Sequence, residues 1–138
     1  MRVIIDTNVL LSSFISTSYP RRVIDLWKAD KFKLCLSSAI LDEYLLVLNN
    51  FGFDEVRTQE INELLTLFSH SPNTIFTNST PQLKIVDSDP DDDKFFECAV
   101  ALKAAYIISG DKAVLAVGKY FNIEVVSPKT FVERMASG

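Results

Sequence analysis

The chain has 138 residues, is 48% apolar and contains ten phenylalanines, so it can bury a sizeable core as one domain without staples. Four glycines and five prolines are too few for a low-complexity or linker-rich protein. A formal net charge of −4 argues against a protein that holds nucleic acid through a basic surface alone, although Arg21, Arg22, Lys28, Lys31 and Lys33 fall in one stretch.

Val3-Ile4-Ile5 is a β-branched run and predicts a short strand ending at Asp6. TNVLLSSFI has helical spacing, with Thr7 or Asn8 as its cap. Pro20 suits the first turn of a second helix, PRRVIDLWKAD, striped by Val23, Ile24 and Trp27. FKLCL predicts a second strand, and Ser37 or Ser38 then caps the helix AILDEYLLVLNN. Asp54 or Thr58 opens a further helix along Ile61, Leu64, Leu65 and Phe68. The stretch 71–83 is rich in Pro, Asn, Thr and Ser and offers a weak strand at Thr74–Thr77.

LKIVD predicts another strand, and five aspartates follow within positions 87–93. DKFFECAVALKAA then reads as an alanine-rich helix, YIIS as a strand, DKAVLAV as a short helix and IEVVS as a strand. Pro128 opens the last helix, PKTFVERMA. Strands alternating with helices predict a single α/β domain over residues 1–138. Its sheet should be mainly parallel, because the unbroken apolar runs suit strands covered by helices on both faces. Ligands of such sheets bind at the carboxyl ends of the strands.

Four acids are placed for that rim. Asp6 follows the first strand, Asp111 follows YIIS after one glycine, and Asp93 stands at the foot of the helix after the acidic run. Glu43 falls at the border of the apolar face of its helix, beside Ile40 and Val47, with Asp42 turned further out. Alone, Asp6 and Asp111 also read as helix caps, the run 87–93 as a solvated loop with capping aspartates, and Glu43 as a surface residue. Together, unpaired carboxylates on one rim raise each other's pKa, and a hard divalent cation such as Mg2+ or Mn2+ relieves the repulsion. Such a cation lowers the pKa of a bound water and neutralises charge on a phosphodiester. That chemistry needs no histidine, cysteine or serine nucleophile. The only histidine, His70, lies in a polar turn, and Cys35 and Cys98 sit in apolar runs as small reduced core residues of a cytoplasmic protein. No leader is expected, since Asp6 interrupts the opening apolar run, and no window approaches the roughly 20 apolar residues of a membrane span.

VIIDTNVLLSSFI, LSSAILDEYLLVL, DPDDDKFFECAVALKAAYIISGD and VVSPKTFVE, in this order, resemble a PIN domain from Met1 to about Val132. The resemblance is to small prokaryotic PIN proteins classed as toxins of toxin–antitoxin pairs. It implies a Rossmann-like three-layer sandwich, with four or five parallel strands, and a Mg2+- or Mn2+-dependent endoribonuclease. Carried over, the metal-holding catalytic acids are Asp6, Glu43, Asp93 and Asp111, with Asp92 in place of Asp93 if the helix starts one residue earlier. Asn8 and Ser109 support the site, and Lys94 and Lys112 guide the phosphates of an RNA substrate. An antitoxin protein and a homodimer are partners the resemblance brings with it; no membrane is. Two other readings remain open. One is a non-catalytic RNA-binding or scaffold module on the same fold. The other is a phosphatase with Asp6 as nucleophile, which wants a second aspartate where Asn8 stands.

Overall fold

A computed structural model describes residues 1–137. Among these residues six strands form one sheet, flanked by seven α-helices. In chain order the elements are β1 (Arg2–Ile5), α1 (Thr7–Ser13), α2 (Tyr19–Lys28), β2 (Lys33–Ser37), α3 (Ser38–Asn50), α4 (Glu55–His70) and β3 (Thr74–Thr77). A 3-10 turn, Pro90–Asp92, then leads into α5 (Asp93–Leu102), β4 (Tyr106–Ile108), α6 (Lys112–Val117), β5 (Lys119–Tyr120), β6 (Ile123–Val126) and α7 (Pro128–Ser137). The sheet order is β3-β2-β1-β4-β6-β5, parallel throughout except for the edge strand β5.

Val3, Ile4 and Ile5 are successive residues of β1 and all are fully buried, so both faces of the sheet are covered. Helix α5 lies across β1, β2, β3 and β4, while α2 and α7 pack together. Phe32 and Phe131 meet edge to face, as do Trp27 and Phe68, which ties α4 to α2. Cys35 and Cys98 are free and buried, and burial pushes their thiols up to about 11 and about 12.

The weak strand at Thr74–Thr77 forms as β3, beside β2. LKIVD does not form a strand. Its Val86 is buried and its Leu83 and Ile85 are half-buried, which accounts for the apolar pattern. Its amides, however, are satisfied by side chains of α5. Leu83 donates its N–H to Glu97 at 2.9 Å, and Ile85 and Val86 donate theirs to Asp93 Oδ1 at 3.1 and 2.8 Å. Two carboxylates one turn apart thus replace a β-ladder. The hairpin strand β5 gave no signal in the sequence, because two residues are too few for a period. Helix α5 stops at Leu102, not at Ala105, where Lys103 turns left-handed (φ 55°) and frees the chain to enter β4.

Replacing Asp93 by Ala should lower stability in urea unfolding by about 1–3 kcal/mol, the cost of leaving buried donors unpaired. Losing only a charge near a helix start would cost at most about 1 kcal/mol. A loss no greater than that would mean the carboxylate does not anchor the segment.

Candidate active site

The order of the sheet reverses between β1 and β4, and in such sheets the place for a binding crevice is beyond the carboxyl ends of the two strands at this switch point. Asp6 leaves β1 there as the cap of α1, with Oδ1 accepting from the Asn8 amide at 3.1 Å. The capping residue is therefore Asp6 itself, not Thr7 or Asn8. From the neighbouring strand, the buried Ser109 hydroxyl donates to Asp6 Oδ2 at 2.5 Å and accepts the Asp111 N–H at 3.0 Å. One hydroxyl thus links the first acid to the backbone of the fourth. Asp111 caps α6 through Oδ1, which accepts from Ala113 and Val114 at 2.8 and 3.3 Å, so Oδ2 is left for a ligand.

Glu43 reaches the same crevice from the middle of α3. Its side chain is 19% exposed; Oε2 accepts from the Thr7 hydroxyl and Oε1 from Lys94 Nζ at 2.6 Å. Beside it, Tyr44 is fully buried and donates its hydroxyl to the Ile5 carbonyl, which locks α3 to the end of β1. Burial pushes the Tyr44 hydroxyl well above the ordinary tyrosine range, so it remains a donor.

Asp92 completes the group. Its Oδ2 is buried with no hydrogen-bond partner. Desolvation first, then repulsion from Asp89, Asp6, Asp111 and Glu43, pushes its carboxyl up to about 7. Asp6 is also raised, chiefly by burial, with Glu43 and Asp111 adding repulsion and the bonds from Ser109 and Asn8 opposing it. Asp6, Glu43, Asp92 and Asp111 therefore share one electrostatic environment. Asp93, 7% exposed, aims Oδ1 at the Ile85 and Val86 amides instead.

The remaining candidates divide. Ser109 stands inside the site, whereas Asn8 contributes its amide and is otherwise exposed. Lys94 is tied to Glu43 and, at 3.1 Å, to Asp91. Burial alone would lower its ammonium, yet the bonds to Glu43 and Asp91 raise it, and Lys94 in turn pulls Asp91 down. Lys112 is exposed at the start of α6. Thr7, the partner of Glu43, reads from the sequence only as a candidate helix cap; its only signal for the site is adjacency to Asp6.

A comparison with family profiles matches residues 2–113 to the PIN domain. The chain belongs to the PIN-domain family. The match takes in the whole crevice, from Asp6 through Glu43 and Asp92 to Asp111, and ends before β5, β6 and α7. No curated protein and no solved structure matches the chain. PIN domains are typically nucleases and generally use divalent metals.

The donors present suit a hard cation of that kind. All are carboxylate oxygens, and Asp92 Oδ2 is an acceptor that the protein leaves unpaired. Among the described residues, no three acids, histidines or cysteines already stand at the mutual spacing of a metal site. Lys94 and Thr7 hold Glu43, and Ser109 holds one oxygen of Asp6.

The raised Asp92 has a thermodynamic consequence. Unfolded, it ionises near 3.8, but folded it keeps its proton up to about 7. The native state thus binds the extra proton between these values, and stability falls as pH rises through that window. Asp92→Asn should therefore melt higher than the parent above pH 7, with the gain vanishing below pH 4. A melting difference that is the same at every pH would show that Asp92 is not held protonated by its surroundings.

Proposed function

We propose that this PIN domain is a Mg2+- or Mn2+-dependent endoribonuclease and that Asp92, not Asp93, is its third acid. The observation that carries the reading is Asp92 Oδ2, buried, unpaired and repelled by Asp6, Asp111 and Glu43. A carboxylate kept in that state costs stability unless a cation or proton offsets it. Asp6, Asp92 and Asp111 would hold the ion, with Glu43 joining directly or through a water. The ion, when bound, supplies a water of lowered pKa and charge neutralisation at the phosphodiester.

The protein's own groups do the rest. Ser109 keeps the Asp6 carboxylate oriented and ties it to the Asp111 backbone. Thr7 and Lys94 hold Glu43 at the rim. Were Glu43 to join the cation, Lys94 would keep Asp91 as its partner and would have donors to offer a substrate phosphate. Lys112, exposed beside Asp111, adds positive charge where the phosphates approach. The resemblance of the four motifs to small prokaryotic toxins supports a further part of the proposal, that the chain is the nuclease of a toxin–antitoxin pair. A scaffold role is the weaker reading, because a scaffold has no use for an unpaired buried carboxylate at the crevice.

Asp6→Asn and Asp92→Asn should each reduce Mg2+-dependent cleavage of single-stranded RNA by roughly 100-fold or more, beyond what outer partners of a metal site usually cost. Asp93→Asn, which keeps an acceptor for the Ile85 and Val86 amides, should stay within about tenfold of the parent. Calorimetric titration with Mn2+ should show the same ranking. Full activity in Asp92→Asn, with loss in Asp93→Asn, would reverse the assignment; full activity in Asp6→Asn would remove the nuclease reading.

A further inference from the structure

Outside the acidic crevice, the turn between α3 and α4 carries two aromatic rings that the reaction does not use. Phe51 and Phe53 lie with centroids 4.5 Å apart and planes 34° apart. Gly52 between them has φ +83°, a left-handed turn that a side chain would strain, and it lets both rings come to one side. Phe53 in turn meets the buried Phe14 edge-on at 6.1 Å, so the pair is braced against the core. Phe51 remains 50% exposed, with Phe53 covering part of it.

A cation meets the same helix end, in a hollow shared with Glu60 and Glu63. Arg21 Nη1 donates to the Ser13 carbonyl at 3.3 Å, and its pairing with Asp25 is loose, at 3.8 Å between exposed groups. Ser13 and Phe14 are consecutive, so the guanidinium and the aromatic pair both meet the last turn of α1. The first turn of α1 begins at the crevice. From Thr7 to Phe14 the helix rises about 10 Å, and from Glu43 to Phe51 along α3 the rise is about 12 Å. Two helices thus give nearly the same separation between the acids and the rings.

We propose that Phe51, braced by Phe53, is a stacking platform for one unpaired base of a single-stranded nucleic acid, with Arg21 beside the strand. At about 3.4 Å per stacked nucleotide, the platform lies about three nucleotides from the phosphate that is cut. This rests on the nuclease reading of the crevice. An aromatic face stacks on any base, so the subsite selects single strands over duplexes and not one sequence over another. A second copy of the chain is the less suitable occupant. Exposed Asn49, Asn50 and Asp54 flank the rings, whereas a stable pair of proteins buries about 800 Å² on each side over a largely uncharged centre.

The test uses the full chain with Asp92→Asn, so that RNA is bound and not cut, and reads the fluorescence anisotropy of a labelled single-stranded oligoribonucleotide. Adding Phe51→Ala should weaken binding about tenfold, within the range of one base–aromatic stack. Adding Phe51→Trp should retain affinity, and the new tryptophan should be quenched by the single strand but not by a duplex of the same length. Unchanged affinity in Phe51→Ala, or no quenching in Phe51→Trp, would overturn the platform while leaving the nuclease reading intact. A dimer in sedimentation that Phe51→Ala dissociates, with RNA affinity unchanged, would assign the rings to contact between copies. Should the parent bind no nucleic acid and the wild-type chain cut none, the nuclease reading itself fails first.

Discussion

The structure turns on how a carboxylate can be buried beside other carboxylates. Asp6 is 4% exposed at the end of β1, with Glu43 and Asp111 near enough to repel it. The Ser109 hydroxyl makes this tolerable, because it donates to Asp6 while accepting from the Asp111 amide on the same strand end. A side-chain hydroxyl can bridge in this way because it is both donor and acceptor. The bridge spans the point where the sheet order reverses, which is where β1 and β4 leave room beyond their ends. Tyr44 adds a second tie, from α3 to the Ile5 carbonyl one residue before Asp6.

Around this bridge the acidic run divides its labour. Asp89 accepts from the Asp91 amide at the start of the 3-10 turn, Asp91 pairs with Lys94, and Asp93 holds the segment leading to Val86. Each of these finds a donor, and so like charge in the run is absorbed by backbone amides and one ammonium. Asp92 alone faces the other acids with an unsatisfied oxygen. Stability is thus sacrificed at one residue of an otherwise satisfied network, which supports the cation-binding reading proposed for the crevice.

Helix α1 then connects two unlike surroundings. Its first turn stands among carboxylates, while its last turn meets Arg21 and the Phe14–Phe53 contact. Lys94 is engaged by Glu43 at the crevice, and aromatic surface and a guanidinium meet the helix at its other end.

The sequence by itself determined the α/β class, the parallel core strands, most helix starts, and the arrival of Asp6 and Asp111 at one rim. These follow from local rules: apolar runs, caps, and acids placed directly after strands. Even Glu43 was legible, since its border position on α3 follows from helical periodicity, and its side chain is half-buried as that position requires. What only the tertiary structure decided concerns neighbours that look alike. LKIVD has the pattern of a strand, yet its amides find Glu97 and Asp93 because α5 lies beside it. Asp92 and Asp93 are chemically identical and adjacent, and about 100° of helical rotation sends one toward the acids and the other toward the loop. That rotation is set by where the buried Phe95, Phe96 and Cys98 must point, which is a property of the packed core and not of the acidic run.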